Sequence, residues 1–353
     1  MKTPQTPIFI FEKKKLEQNY KELENLCKKY FSSFKIAYSV KTNSNKEVIK
    51  VLGKLGSNFE IASQEEIKLI PKTFTVFNSP AKTQEELKTA LKNKFLINID
   101  SISEIDKISR IIKNKKIQAG LRISISDSKF GIEDSKIEQA IEYANSKGIE
   151  IVCLHLHQGT QVNLKEYEEN LIIFENIVER LSKNNKAKLK YLDIGGGLPD
   201  KQQLKNLSLS LNNYLEVISK HLSKFNKTII LEPGRSLVSD SFYLLTKVIT
   251  IKENFNKTYA ILDAGINLLP KITLASYKYT PYNHVAQDVK NGLVINNNPQ
   301  KEYLLAGPLL FSNDILGKFQ GNLQEGDLIK VENVGAYCYN LAWEISYKKP
   351  KII

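Results

Sequence analysis

A parallel (β/α)8 barrel followed by a separate antiparallel β-sandwich domain is the fold class that the sequence predicts. Three observations predict it: short apolar strands alternate with amphipathic stretches, there are eight such units over about 200 residues, and the texture changes after residue 235. The strand candidates are FKIAYSV (34–40), NFEIAS (58–63), FTVFN (74–78), FLINID (95–100), AGLRISI (119–125), IVCLHLH (151–157), YLDIGG (191–196) and TIILEP (228–233). Between them SQEEIKLI, TQEELKTALKN, SEIDKISRIIKN and EYEENLIIFENIVERLSKN repeat apolar residues at three and four, the helical period. A doubly wound sheet shares the alternation, but the count of eight favours closure. From about residue 236 the chain reads as β-rich, in SFYLLTKVITIKE, KTYAILDAG, EYLLAGPLL, DLIKVENVGAYC and NLAWEISYKK, separated by turn clusters such as NNNPQ. The predicted division is a barrel over 28–235 and a β-sandwich over 236–353, joined by the N-terminal strand within 1–12.

Composition excludes several function classes. The 353 residues have an ordinary globular balance of apolar and charged groups. No apolar run approaches the roughly 18 residues of a membrane helix, and MKTPQTPIFIF does not pattern as a signal peptide, so no membrane partner and a cytoplasmic location are expected. Cys27, Cys153 and Cys338 are too few and too scattered for a disulfide framework or a zinc site, and no metal is expected. The net charge of +13 is lysine spread along the whole chain among glutamate and asparagine, which describes a solvated surface rather than a nucleic-acid face.

Enzymes on such barrels place their chemistry at the C-terminal ends of the strands. The unusual residues of this chain fall there: Lys41 closes the first strand, His157 the sixth, Gly195, Gly196 and Gly197 the seventh, and Glu232 with Arg235 the eighth. Lys41 ends an apolar run, a placement that suits a nucleophilic amine in a pocket. The three glycines let backbone N–H groups approach a phosphate, although a tight turn would use them equally. Rossmann and Walker spacings are absent. Glu232 and Arg235, separated by Pro233 and Gly234, offer a carboxylate for a protonated ring nitrogen and a guanidinium for a phosphate or carboxylate, or else a structural ion pair. His157 suits stacking on a flat ring, and one of His155 and His157 is expected inside the barrel wall. A lysine, a phosphate cradle, a carboxylate and an imidazole together are what pyridoxal phosphate requires.

The chain resembles the barrel-type (alanine racemase-like, fold type III) pyridoxal-phosphate decarboxylases that include ornithine, arginine and diaminopimelate decarboxylases. The resemblance rests on YSVKTN, FEIASQEEI, SKFGI, HLHQGTQ, LDIGGG, EPGR, LDAGINLL, GPLLFSNDIL and GAY, in the family's order over nearly the whole length. It implies that Lys41 holds the cofactor aldehyde and that His157 lies over the ring. It further implies that Thr160, Gly195 to Gly197, Arg235 and Tyr337 bind the phosphate region, and that Glu232 meets the ring nitrogen. Glu60 stands where the family usually has aspartate. A homodimer with shared active sites is implied too, with Tyr337 and the GPLL loop near the subunit boundary.

Two departures bear on substrate. Leu310 and Phe311 occupy positions where family decarboxylases usually carry a cysteine and an acidic residue, which removes the usual proton donor and a binder of a distal ammonium. Cys338, next to Tyr337, is then the thiol placed nearest the site. In DAGINLLPKITLASYKY no arginine appears, and the four arginines lie earlier, at 110, 122, 180 and 235. The predicted function is decarboxylation of a small-molecule α-amino acid, modified or neutral-tailed, with free diaminopimelate as the alternative. A racemase would need a two-base arrangement and lacks the GAY ending. A non-catalytic cofactor-binding paralogue would have less need of Lys41, Glu232, Arg235 and Tyr337.

Overall fold

The computed structural model of the chain describes residues 5–113, 115–184, 186–270, 277–282 and 301–353. It divides into two compact units, Leu16–Leu237, and Met1–Lys15 with Val238–Ile353. Strand β1 (Ile8–Phe11) belongs to the latter.

In the first unit the strands are β2 (Phe34–Ser39), β3 (Asn58–Ile61), β4 (Thr75–Asn78), β5 (Leu96–Ile99), β6 (Ile117–Ser124), the two-residue β7 (Ile132–Glu133) beside β6, β8 (Ile149–His155), β9 (Tyr191–Asp193) and β10 (Thr228–Leu231). The parallel order β5-β4-β3-β2-β10-β9-β8-β6 closes through a β5–β6 pairing, giving the eight-stranded barrel. Strands such as β4 and β5 are buried at every residue, because helices cover the outside and side chains fill the inside. Ala37, Val76, Leu96, Val152, Cys153 and Ile230 form one core cluster, flanked by Phe74 and Tyr191.

Local signals start the helices. Asn45 accepts from the Glu47 and Val48 amides at the head of Lys46–Lys54, Thr83 and Glu86 form a capping box on Gln84–Lys92, and Asn163 accepts from Glu166 at the head of Leu164–Lys183. In Lys13–Tyr30, Leu16, Tyr20, Leu23 and Cys27 are buried at the four-three-four spacing of one helical face. Each such side chain contributes about 1.5–3 kcal/mol when fully buried. No helix of the described residues is long and apolar enough to cross a membrane.

The second unit adds β11 (Phe242–Asn254), β12 (Lys257–Leu262), β13 (Lys278–Pro281), β14 (Lys301–Ala306), β15 (Ile315–Gly321) and β16 (Leu328–Glu332), in the order β13-β16-β11-β12-β14-β15. The pairings are antiparallel except that of β12 with β14. The first half of β11 pairs with β1 and β16, and its second half pairs with β12 beyond a register shift between Val248 and Thr250. A bulge of this kind bends one strand from one layer of a sandwich into the other.

NLAWEISYKK is not the strand that its alternation predicts. Its first two residues end a short helix, Cys338–Leu341, and an isolated bridge joins Ile345 and Tyr347. Leu341, Trp343, Ile345 and Tyr347 are exposed, so no buried face rewards an extended register there. Strand β13, four residues ending at Pro281, and strand β15, which carries Gly317 and ends at Gly321, escape the sequence pattern.

Candidate active site

Lys41, His157, Gly195 to Gly197, Glu232 and Arg235 sit just beyond the strand ends rather than on them, whereas Glu60 lies within β3. Strand β2 stops at Ser39, and Lys41 lies in the 3-10 turn Val40–Thr42. Strand β8 stops at His155, two residues before His157; β9 stops at Asp193, and β10 stops at Leu231. All of these ends are C-terminal. The correction moves each side chain from the barrel wall to its rim, where a turn sets its direction.

The Lys41 turn is held on several sides. Val40 and Thr42 are buried, Tyr38 Oη donates to the Asn43 carbonyl at 2.9 Å, and the Ser39 amide donates to the Pro233 carbonyl at 3.1 Å. Gly234 is needed beside it, because a Cβ there would stand 2.1 Å from Thr42 Oγ1. The EPGR segment and the lysine turn therefore position each other. Lys41 Nζ donates to both oxygens of Glu60, at 2.9 and 2.8 Å, and Ser39 Oγ donates to Glu60 Oε2 at 2.6 Å. Glu60 is fully buried, so the pair fixes the amine at the cavity edge.

A cavity of about 220 Å³ opens in front of Lys41, lined among others by Glu60, Asn78, Arg122, His155, His157 and Glu232. His155, His157 and Glu232 converge, each placing a polar atom within 4.8 Å of the other two. His155 is 1% exposed and sets Nε2 at 3.6 Å from Glu232 Oε2. Burial works to raise the Glu232 carboxyl, but His155 first, then Lys41 and His157, overcome it and leave Glu232 at about 2. Burial, aided by the Lys41 charge, pushes His157 down to about 3. The cavity thus presents a carboxylate and a neutral imidazole throughout the neutral range. A larger cleft of about 530 Å³, lined by Gln118, Glu150, Lys116, Lys186 and Lys188, opens at the opposite, N-terminal strand ends and holds none of these groups.

The glycine loop lies against His157. A Cβ on Gly195 would meet the Leu156 carbonyl at 2.7 Å and His157 Nδ1 at 3.1 Å, and one on Gly196 would meet the Glu232 carbonyl at 3.0 Å. Gly195 and Gly197 have positive φ, so only glycine holds this path without strain. Arg235 is buried at the start of the short helix Arg235–Val238, and Thr160 is exposed on the loop after β8. Ser236 Oγ and both polar atoms of Gln158 are buried without a hydrogen-bond partner among the described residues. Orphaned polar atoms beside a glycine cradle, an amine, an anion and a neutral imidazole fit a flat phosphorylated aldehyde such as pyridoxal phosphate.

Four predicted residues belong to the C-terminal unit. Tyr337 precedes the short helix in a left-handed conformation, φ 67°. Cys338 is fully buried with its thiol 3.3 Å from the Tyr277 hydroxyl, the surroundings of a core thiol. Leu310 and Phe311 form the tip of the loop between β14 and β15, 100% and 44% exposed. The sequence reading missed Asn78, Arg122 and Asp193. Asn78 donates to Glu232 Oε1 at 2.6 Å, and the Arg122 guanidinium lies 4.3 Å over the ring of Phe130 of SKFGI. Asn78 and Asp193 each end an apolar strand with a polar side chain, the signal that singled out Lys41.

The chain is similar to known proteins over most of its length. The profile of the family described as pyridoxal-dependent decarboxylase, pyridoxal binding domain, matches residues 15–239. Diaminopimelate decarboxylase of Aquifex aeolicus is 27% identical over 96% of this chain and 83% of its own length, and that of Neisseria meningitidis is 28% identical over 96% and 84%. The crystal structure of Helicobacter pylori diaminopimelate decarboxylase complexed with L-lysine superposes with a TM-score of 0.83 at 27% identity, covering 95% of this chain and 87% of that one. The chain belongs to the family of barrel-type pyridoxal-phosphate-dependent amino-acid decarboxylases.

Proposed function

We propose that the α-amino acid is diaminopimelate, whose decarboxylation leaves lysine. The observation that carries this reading is similarity over 96% of the chain to relatives that bear the name diaminopimelate decarboxylase, supported by the L-lysine bound in the Helicobacter pylori structure. Bound pyridoxal phosphate supplies an electron sink for the pair left on Cα as CO₂ departs. The chain's own residues do the rest. Lys41 binds the aldehyde carbon, and Glu60 holds its amine in place. His157, neutral, would face the ring, and Glu232, ionised, would keep the ring nitrogen protonated. Gly195 to Gly197, Thr160 and Arg235 would take the phosphate.

One observation favours a second reading. Leu310 and Phe311 place apolar side chains on the loop where relatives carry a thiol and a carboxylate, which suits an amino acid with a neutral or modified tail. A buried charge-assisted hydrogen bond to a distal ammonium is worth roughly 1.5–3 kcal/mol, or about 10- to 150-fold in kcat/KM. The test compares kcat/KM for diaminopimelate, lysine and ornithine with that for amide- and acyl-tailed analogues. Diaminopimelate is expected to be the best of the panel, and Leu310→Cys with Phe311→Glu to raise ornithine and lysine about tenfold or more relative to it. Preference for a neutral tail would overturn the first reading and establish the second.

We also propose that the chain works as a homodimer. The exposed apolar groups Leu310, Phe311, Leu341, Trp343, Ile345 and Tyr347 of the C-terminal unit support it, because a monomer rarely leaves so many uncovered. Sedimentation is expected to give twice the 40.2 kDa chain mass. A monomer at micromolar concentration would refute it.

A further inference from the structure

Four polar side chains run through the barrel interior in one hydrogen-bonded column. Asp193, at the end of β9, accepts from the Gly195 amide on Oδ1 at 3.0 Å and from Asn98 Nδ2 on Oδ2 at 3.1 Å. The same Asn98 nitrogen donates to Asn78 Oδ1 at 2.9 Å, and Asn78 Nδ2 donates to Glu232 Oε1 at 2.6 Å. Exposure is 6% for Asn78, 1% for Asn98, 0% for Asp193 and 3% for Glu232, so no solvent screens the column. Gly120 makes room for it, since a Cβ there would stand 1.9 Å from Asn98 Oδ1.

The two carboxyls of the column have different surroundings. Glu232 faces His155 at 3.6 Å and shares its cavity with Lys41. Asp193 accepts from two neutral amides and also shares a side-chain hydrogen bond with Glu232, for which the protonated acid is the donor, while its neighbour in the sheet register, His155, turns Nε2 to Glu232. The fully buried Cys153 thiol of β8 feels both carboxyls, each of which pushes it up after burial does. Two unscreened carboxylates in one dry column repel each other, and the one without a cation takes the proton.

We propose that Asp193 is a positioning residue that works as an uncharged carboxylic acid, anchoring the first glycine of the cofactor cradle and, through Asn98 and Asn78, orienting Glu232. Burial and then the Glu232 charge push the Asp193 carboxyl well above its ordinary range, in the same direction. The inference rests on the assignment of Glu232 and Gly195 to the cofactor site. Its first readout needs no cofactor, so the two fail separately.

The infrared spectrum of the apo-protein at pH 8 is expected to contain the deuterium-sensitive carbonyl stretch of a buried carboxylic acid that disappears in Asp193→Asn. Half-buried Glu66 and buried Glu104, whose carboxyls burial also raises, make the difference between wild type and variant the quantity to read. Asparagine keeps the acceptor for Gly195 and adds no charge, but it turns an NH2 donor toward Asn98 Nδ2, so the link to Asn98 is lost while the anchor of the glycine loop stays. Titration of apo-protein with pyridoxal phosphate is therefore expected to give a Kd within about fivefold of wild type for Asp193→Asn and at least about tenfold weaker for Asp193→Ala. An infrared difference with no acid band would show an ionised Asp193 and overturn the proposal. So would an Asp193→Ala variant that binds the cofactor as wild type does.

Discussion

Replacing Lys41 by alanine is expected to abolish the covalently held chromophore of the purified protein and to lower decarboxylation by at least about a thousandfold, within the range lost with a positioned proton-transfer group. The turn around Lys41 leaves no substitute for it. Val40 and Thr42 are buried, the backbone is tied to Pro233, and Glu60 accepts two hydrogen bonds from this amine. Alanine also strands the buried Glu60 carboxylate, and breaking a buried pair costs about 3–5 kcal/mol, less here because the lysine is partly exposed. Lys41→Arg separates the two effects. It keeps a cation for Glu60 and hence the fold, but a guanidinium does not bond to an aldehyde carbon. Arginine and alanine variants should be equally colourless and inactive, with the arginine variant melting closer to wild type. A yellow, active Lys41→Ala protein would remove the lysine from the chemistry.

The site was legible in the sequence where one residue type has one unusual use. Lys41 after an apolar run, three consecutive glycines and the EPGR turn stand out because each is costly or odd in a plain barrel. The barrel itself was legible because parallel strands buried on both faces read as apolar runs separated by helix-period segments. What was not legible depends on side chains meeting across the barrel. Asn78, Asn98 and Asp193 lie 20 and 95 residues apart in their contacts, and an asparagine ending a strand has no spacing that announces its partner. The Lys41–Glu60 pair was hidden for the same reason, since β2 and β3 come into register only once the sheet forms. NLAWEISYKK shows the opposite failure, alternation without a face to bury.

Glu232→Gln is expected to lower kcat by about a hundredfold or more while KM and the cofactor Kd stay within about threefold. Glutamine has the shape of the carboxylate and can still accept from Asn78 Nδ2, so the glycine loop and the column beneath keep their positions. What it removes is the charge proposed to keep a ring nitrogen protonated, and such a charge would act on the chemical step rather than on binding. The pH dependence gives an independent check. With the folded carboxyl at about 2 and a free glutamate near 4.3, the carboxylate contributes stability that is fully present above the unfolded value and lost as pH falls through the folded one. The difference in melting temperature between wild type and Glu232→Gln should therefore be constant from pH 6 to 8 and shrink below about pH 4. Over pH 5 to 9 the ratio of their kcat values should be flat, because Glu232 does not change charge there. If Glu232→Gln keeps wild-type kcat, the carboxylate is structural and another group must hold the ring proton. If kcat falls but the ratio varies across that range, His157 or Lys41 rather than Glu232 carries the titration, and replacing each in turn identifies which.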